Sequence, residues 1–306
     1  MPKIAKQSNL PSTKQLPDLV GVLARLGPIK DNPAVKLSVY GRGKTGKTRL
    51  ACSFPKPLML IGTEEGTKSV DASGIDFVKI ADTSDLDALL KQAESGGSCW
   101  KGKSTGTAFV YNQVELGQGD PYKTVVLDTA GGLQDLVTKD VLGLSEIPMQ
   151  KSWGMAQQQD WGIIGAQTKE RLYQILRLSE TKQMNVVVIA HERNFTRDDV
   201  PADIMLPAIG SALTPTAAGW LNGACDYICQ CYIREEEITK TEKLGDSGDG
   251  EGLELTRKTG KKLFCLRVGP HPVYMTGFRL PPGFELPDHI IDPSYKKILQ
   301  IIKGKK

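Results

Sequence analysis

With 306 residues, 40% apolar, 24% charged and 6% aromatic, the chain can bury a substantial core as one large or two modest domains, which excludes a disordered or fibrous polymer. Lysine and arginine exceed aspartate and glutamate by 39 − 35 = 4, a surplus that permits contact with a polyanion without arguing for one. No apolar run of about 18 residues exists and the opening MPKIAKQSNLPSTK has no secretory apolar stretch, so a cytoplasmic protein without a membrane partner is expected, its six cysteines reduced.

Residues 1–34 read as a leader. Within it, DLVGVLARL (18–26) places Leu19, Val22, Leu23 and Leu26 at i, i+3, i+4 and i+7, a short amphipathic helix closed by Gly27-Pro28. From residue 35 the pattern changes to short apolar runs separated by helical stretches: VKLSVY (35–40), PLMLIG (57–62), KTVVLD (123–128) and NVVVIA (185–190). Runs that are apolar on both faces and spaced for intervening helices predict an α/β fold with a mostly parallel central sheet flanked by helices. DLDALLKQAE (85–94) and WGIIGAQTKERLYQILRLSE (161–180) supply two of those helices, and the Gly- and Ser-rich stretch 95–120 reads as a surface insertion or hairpin.

After residue 225, DYICQCYI, KKLFCLRV and PVYMTGFRL predict antiparallel C-terminal strands. Cys225, Cys229, Cys231 and Tyr227 share one face of the first, a buried strand face rather than a zinc site. Residues 235–254 hold eight acids against two lysines and read as a solvated, mobile hairpin tip. The core thus spans 35–280, and 281–306 is a Lys-rich tail whose last fourteen residues hold five lysines and no acid.

Between the first run and the next helical stretch, Gly41-Arg42-Gly43-Lys44-Thr45-Gly46-Lys47-Thr48 satisfies G-x-x-x-x-G-K-[ST]. Glycines let successive backbone N–H groups turn inward around a β-phosphate, and the helix N-terminus adds the positive end of its dipole. Gly41, Gly43, Lys44, Thr45, Gly46, Lys47, Thr48 and Arg49 are therefore the candidate nucleotide-binding residues, Lys47 reaching the β- and γ-phosphates and Thr48 ligating Mg²⁺. Such a site needs a second oxygen ligand at a neighbouring strand end, and Asp128 closes KTVVLD. Hydrolysis also needs a group to orient water. Thr129 cannot act as a carboxylate base, which leaves Glu64 or Glu65 beyond PLMLIG, Glu64 the better placed; a surface acid in a GTEEGTK loop is the alternative. His191, ending VVVIAH, can sense the γ-phosphate or be a structural histidine.

The order GRGKTGKT, LMLIGTEEGT, TVVLDT, VVVIAHE, then ACDYICQCYI resembles the RecA-like P-loop NTPase core. It is most similar to the phage nucleotide-binding/AAA-domain family, including the Sak-type single-strand annealing ATPases, over roughly residues 35–280. The resemblance implies that Lys47, Thr48 and Asp128 hold ATP with Mg²⁺ and that Glu64 activates water. His191 stands where RecA proper has a glutamine. In such proteins the loops after the third and fourth strands grip single-stranded DNA. Here they are about 129–160, with Lys139, Lys151 and Trp153, and 193–215, with Arg193, Phe195 and Arg197, cations for phosphates and rings for bases. The resemblance further implies head-to-tail self-association as a filament or ring, with a cation from the neighbour, Arg267 or Lys261 and Lys262, reaching the γ-phosphate. The expected function is ATP-dependent annealing or recombination of phage DNA in the host cytoplasm, with single-strand-binding or replication proteins as further partners. The alternatives are an ATP-binding switch or scaffold with little turnover, or a ring-forming helicase or packaging motor.

Overall fold

The computed structural model describes residues 33–64, 73–95, 98–104, 109–115, 122–146, 156–195, 208–242, 253–280 and 283–304. The helix expected at 18–26, Glu65, Lys151, Trp153 and Arg197 lie outside them. The chain divides at Pro33/Ala34, and the fold is that of the unit Ala34–Lys306.

The four apolar runs are β1 (Lys36–Gly41), β2 (Leu58–Gly62), β6 (Thr124–Asp128) and β7 (Asn185–Phe195). Around them lie β3 (Ile75–Lys79), β4 (Ser98–Ser104), β5 (Phe109–Glu115), β8 (Ala208–Ser211), β9 (Tyr227–Glu242), β10 (Leu253–Arg267), β11 (Gly277–Phe278) and β12 (His289–Ile291). The described helices are α1 (Lys47–Ala51), α2 (Thr83–Ser95), α3 (Ala130–Val141), α4 (Gln158–Thr181), α5 (Pro215–Ala224) and α6 (Tyr295–Ile302). Ten strands form one sheet ordered β12-β10-β9-β1-β7-β6-β2-β3, with β11 on β9 and β8 on β7. From β9 to β3 every neighbour is parallel; β10, β11, β12 and β8 add antiparallel pairs. The strands β4 and β5 pair antiparallel as a separate two-stranded sheet.

Alternation along the central strands feeds two cores, as a sheet covered on both faces requires. Val186, Val188 and Ala190 face α2–α5 along with Ile61, Val125 and Leu127. Val187 and Ile189 point the other way with Leu37, Val39, Leu60 and Val126, against Leu50 and Phe54 and the α6 residue Ile298. Each valine, leucine, isoleucine or phenylalanine among them, once buried, contributes about 1.5–3 kcal/mol of transfer free energy.

Five details differ from the sequence-based expectation. The stretches 129–160 and 193–215, expected as loops, hold α3 and the start of α4, and the end of β7 and all of β8, respectively, among the described residues. Cys225 caps the C-terminus of α5 and packs into the α2–α5 core, whereas Cys229 and Cys231 face the opposite core, so the three thiols do not share one strand face. PVYMTGFRL contributes only the two residues of β11 and a bridge from Tyr274 to Ile209. The acidic stretch 235–254 is strand at both ends, since β9 runs to Glu242 and β10 starts at Leu253. The expected Lys-rich tail contains β12 and, over Tyr295–Ile302, the helix α6. This helix buries Ile298 and stacks Tyr295 on Phe54 with ring centroids 4.7 Å apart, because its apolar residues recur at helical spacing between the lysines. No described helix is long and apolar enough to cross a membrane.

Candidate nucleotide site

The register of the parallel strands brings their C-terminal ends level. Gly41 stands opposite His191 on one side and Cys231 on the other, while Asp128 stands opposite Gly62. Four sequence motifs far apart in the chain thus meet along one edge of the sheet, where open α/β sheets bind ligands.

Gly41 starts the turn because only a residue without a side chain fits there: a Cβ would lie 2.2 Å from the Cys231 carbonyl oxygen. Lys44 and Gly46 take left-handed conformations, with φ of 63° and 88°, and bend the loop into α1. Inside the bend, the buried Lys47 amine donates to the carbonyl oxygens of Gly41 (2.8 Å) and Arg42 (2.6 Å), and the Thr45 hydroxyl donates to Arg42 O (2.9 Å). Burial lowers the Lys47 pKa, against the opposing pull of Cys231, Asp128 and two glutamates.

The Thr48 hydroxyl donates to Asp128 Oδ2 at 2.7 Å. Two hard oxygens converging beside the loop suit Mg²⁺, which is commonly held by one or two protein oxygens and keeps several waters. Burial pushes the Asp128 carboxyl up, while Thr48 and Lys47 act in the opposite direction. The Asp128–Thr129 peptide is cis.

Glu64 lies two residues past β2. Its Oε2 is 3.8 Å from His191 Nε2, and its Oε1 accepts from the Thr129 hydroxyl at 3.3 Å. Pairing with His191, helped by Thr129 and Lys47, lowers its pKa against the effect of burial, so the group is an ionised acceptor at neutral pH. Glu64, Asp128, Lys47, Thr48 and His191, predicted separately, thus form one constellation.

Several partners in this constellation carry no motif. Thr129 caps α3 by accepting from Gly132 N–H (3.1 Å), and Thr63 Oγ1 accepts from Thr129 N–H (3.0 Å). Gly132 allows this approach, since a Cβ there would meet Thr63 Oγ1 at 2.1 Å. A Thr before Ala-Gly-Gly is a readable N-cap signal; the Thr63 contact has no local signature. A polar chain also reaches the loop from the far strands. Arg267 Nε donates to Gln230 Oε1 (3.2 Å), Gln230 Nε2 to Glu192 Oε2 (3.3 Å), and Arg42 Nε to Glu192 Oε1 (2.7 Å). Arg267 is stacked on Tyr232 and Tyr274, 4.9 and 4.5 Å from their ring centroids, and so is engaged within its own chain.

Beside Glu64 and His191 opens a cleft of about 920 Å³ bordered by the first turns of three helices: Gly131 and Gly132 of α3, Trp161 of α4 and Pro215 of α5. Arg193, on the extension of β7, also lines it and lies 5.7 Å from the Phe195 ring centroid. Lys139 is not brought to the cleft. It sits in the last turn of α3, seven residues and hence about 10 Å along the axis from Gly132.

Among curated proteins, none matches the chain. A family model described as an AAA domain matches residues 34–274, an interval that holds the phosphate loop, Glu64, Asp128, His191 and Arg267 and ends before β12 and α6. The match covers most of the chain and contains the whole constellation, and the protein therefore belongs to this AAA-domain family of P-loop ATPases.

Proposed function

We propose that the protein is a Mg²⁺-dependent, RecA-like ATPase that binds single-stranded DNA, assembles head to tail and promotes annealing or recombination of phage DNA. The observation that carries the ATPase reading is the 2.7 Å contact between Thr48 and Asp128 with Lys47 inside the loop and an ionised Glu64 beside it. Backbone amides of residues 41–48 and the Lys47 amine bind the triphosphate, and Thr48 and Asp128 hold the metal. When bound, Mg²⁺ neutralises charge on the β- and γ-phosphate oxygens. Glu64 orients water and takes its proton, a role worth about 10²–10⁴-fold in rate. His191, paired with Glu64 and level with Gly41, reports the state of the γ-phosphate to the rest of β7.

The DNA reading is supported by Arg193 and Phe195, a cation and a ring on the strand that leaves His191, beside an open cleft. Lys151 and Arg197 are further cations of the sequence-based reading, and Lys139, in the last turn of α3, serves a more distant phosphate. In the assembly, Lys262 is the best trans-acting cation of the three expected. Arg267 is tied to Gln230 and Lys261 to Glu236, whereas the Lys262 side chain pairs with no described residue.

The test is ATP turnover by the full chain with Mg²⁺ at low salt, with and without single-stranded DNA. Turnover stimulated by DNA is expected, and equal rates would remove the DNA reading. The Glu64→Gln variant is expected to lose turnover while keeping ATP affinity; a variant as active as the parent would instead favour the switch or scaffold.

A further inference from the structure

Two features of the molecule have no part in the nucleotide chemistry, and their charges are opposite. The first is Asp135 in the large cleft. The charged groups lining this cleft are three carboxylates, Glu64, Asp135 and Glu192, against one guanidinium, Arg193, and the His191 imidazole. Glu64 has His191 and Glu192 has Arg42, whereas Asp135 makes no hydrogen bond or ion pair with a described residue. Burial, with the Glu64 charge adding to it, pushes the Asp135 carboxyl up to about 6, so at neutral pH an ionised acid stands there uncompensated. Trp161 and Pro215 give the same cleft apolar surface. A lysine side chain suits such a place, since its methylenes cover apolar surface while its ammonium meets the carboxylate.

The second feature is the lysine run that ends the sequence. The last fourteen residues hold five lysines and no acid, and three of the five, Lys303, Lys305 and Lys306, fall within four positions. Lys303 caps α6, is exposed, and its side chain pairs with no described residue. The two features lie on opposite sides of the molecule. The helix α3, which carries Asp135, packs on one face of the central sheet through Leu133 and Leu136, and α6 packs on the other through Ile298. The sheet stands between them, so Lys303 does not reach Asp135 of its own chain.

Resting on the head-to-tail reading of the assembly, we infer that the lysine-rich end of α6 from a second copy docks in this cleft and neutralises Asp135. A cleft on one face that receives an element from the opposite face is a heterologous contact: each copy offers both halves, and copies add in one direction as a ring or a filament. The lysines meet a carboxylate on α3 and do not touch the phosphates. Their half of the contact lies beyond residue 274, outside the family match.

Sedimentation velocity of the full chain over a range of concentrations, with Mg²⁺ and a non-hydrolysable ATP analogue, tests the contact through reversed charges. Asp135→Lys sets lysine against lysine, and the triple variant Lys303→Glu, Lys305→Glu, Lys306→Glu sets acid against acid. Each alone is expected to weaken association at least about tenfold, because like charges then face each other. Mixed one to one, the two should associate within about threefold of the parent, since each cleft then meets an end of opposite charge. Should Asp135→Lys not fold, Asp135→Asn removes the charge without reversing it and should weaken association by about two- to fivefold. Variants that associate as the parent does, or a mixture that stays as dispersed as its components, would overturn the contact while the parent's own assembly keeps the head-to-tail reading. An Asp135→Lys protein that assembles normally and instead binds a single-stranded oligonucleotide more tightly would also overturn it, giving the cleft to nucleic acid. A parent that stays monomeric at every concentration removes the head-to-tail reading and this contact together.

Discussion

Asp135 is an acid held where it destabilises the fold. It sits on α3 and lines the large cleft, and it makes no hydrogen bond or ion pair with a described residue. Burial, with the Glu64 charge adding to it, pushes its pKa from the ordinary 3.8 up to about 6. A carboxyl whose folded value is raised costs nothing below the unfolded value. The penalty grows as pH rises from about 4 to about 6 and is constant above that. Unscreened, the displacement corresponds to about 3 kcal/mol. The side chain keeps contact with solvent in the cleft, and screening reduces this to about 1–1.5 kcal/mol. Asp135→Asn should therefore stabilise the protein by about that amount at pH 8, a rise of about 2–4 °C in Tm, with the gain fading to nothing near pH 4. Denaturant unfolding of parent and variant across pH 4–8 measures it. A variant no more stable at pH 8, or one whose advantage is the same at pH 4, would show that the carboxyl is not paying a burial cost in this cleft.

The loop and its polar chain give two further expectations. Gly41→Ala places a methyl 2.2 Å from the Cys231 carbonyl oxygen and forces β1 and β9 apart where the loop begins; about 1–3 kcal/mol of stability and most of the ATP affinity should be lost, and unchanged calorimetric binding would refute the role of that close approach. Glu192→Ala releases Arg42 from the loop's outer edge, and KM for ATP should rise by up to about fivefold, the range for an exposed ion pair, with the effect shrinking at high salt. An unaltered KM at low salt would mean that the loop holds its shape without the contact.

What could be read in advance divides by the range of the interaction. The strands β1, β2, β6 and β7 were legible because a strand buried on both faces needs an unbroken apolar run, and Val186 to Ala190 is one. The phosphate loop was legible because a backbone cradle needs its glycines and lysine at fixed spacing. Asp128 followed as an acid ending an apolar run. The edge strands β3, β8 and β12 were not legible. They are three to five residues long, and β3 is at best half-buried, so an apolar pattern has little room to form. The helix α6 was partly legible: Tyr295, Ile298, Ile301 and Ile302 recur at i, i+3, i+6 and i+7, but five lysines around them favoured a solvated reading.

The contacts that turn these pieces into a site are of another kind. Arg42 and Glu192 are 150 residues apart, and Gln230 and Arg267 a further 38 and 37, each joined by one side-chain contact and none by a local pattern. Thr63 with Thr129, through the Thr63 hydroxyl, and Asp292 with Phe264, through a main-chain hydrogen bond, are likewise joined without a local pattern. Only the sheet register decides such pairings, since it sets which strand ends stand level. Motif spacing therefore names the groups of the phosphate loop, because one short segment supplies most of them. The groups that orient Glu64 come from strands whose order the sequence does not encode locally. Residues 41–48 and 128 stand out by spacing alone, whereas Phe264 and Asp292 come beside that loop only through the fold.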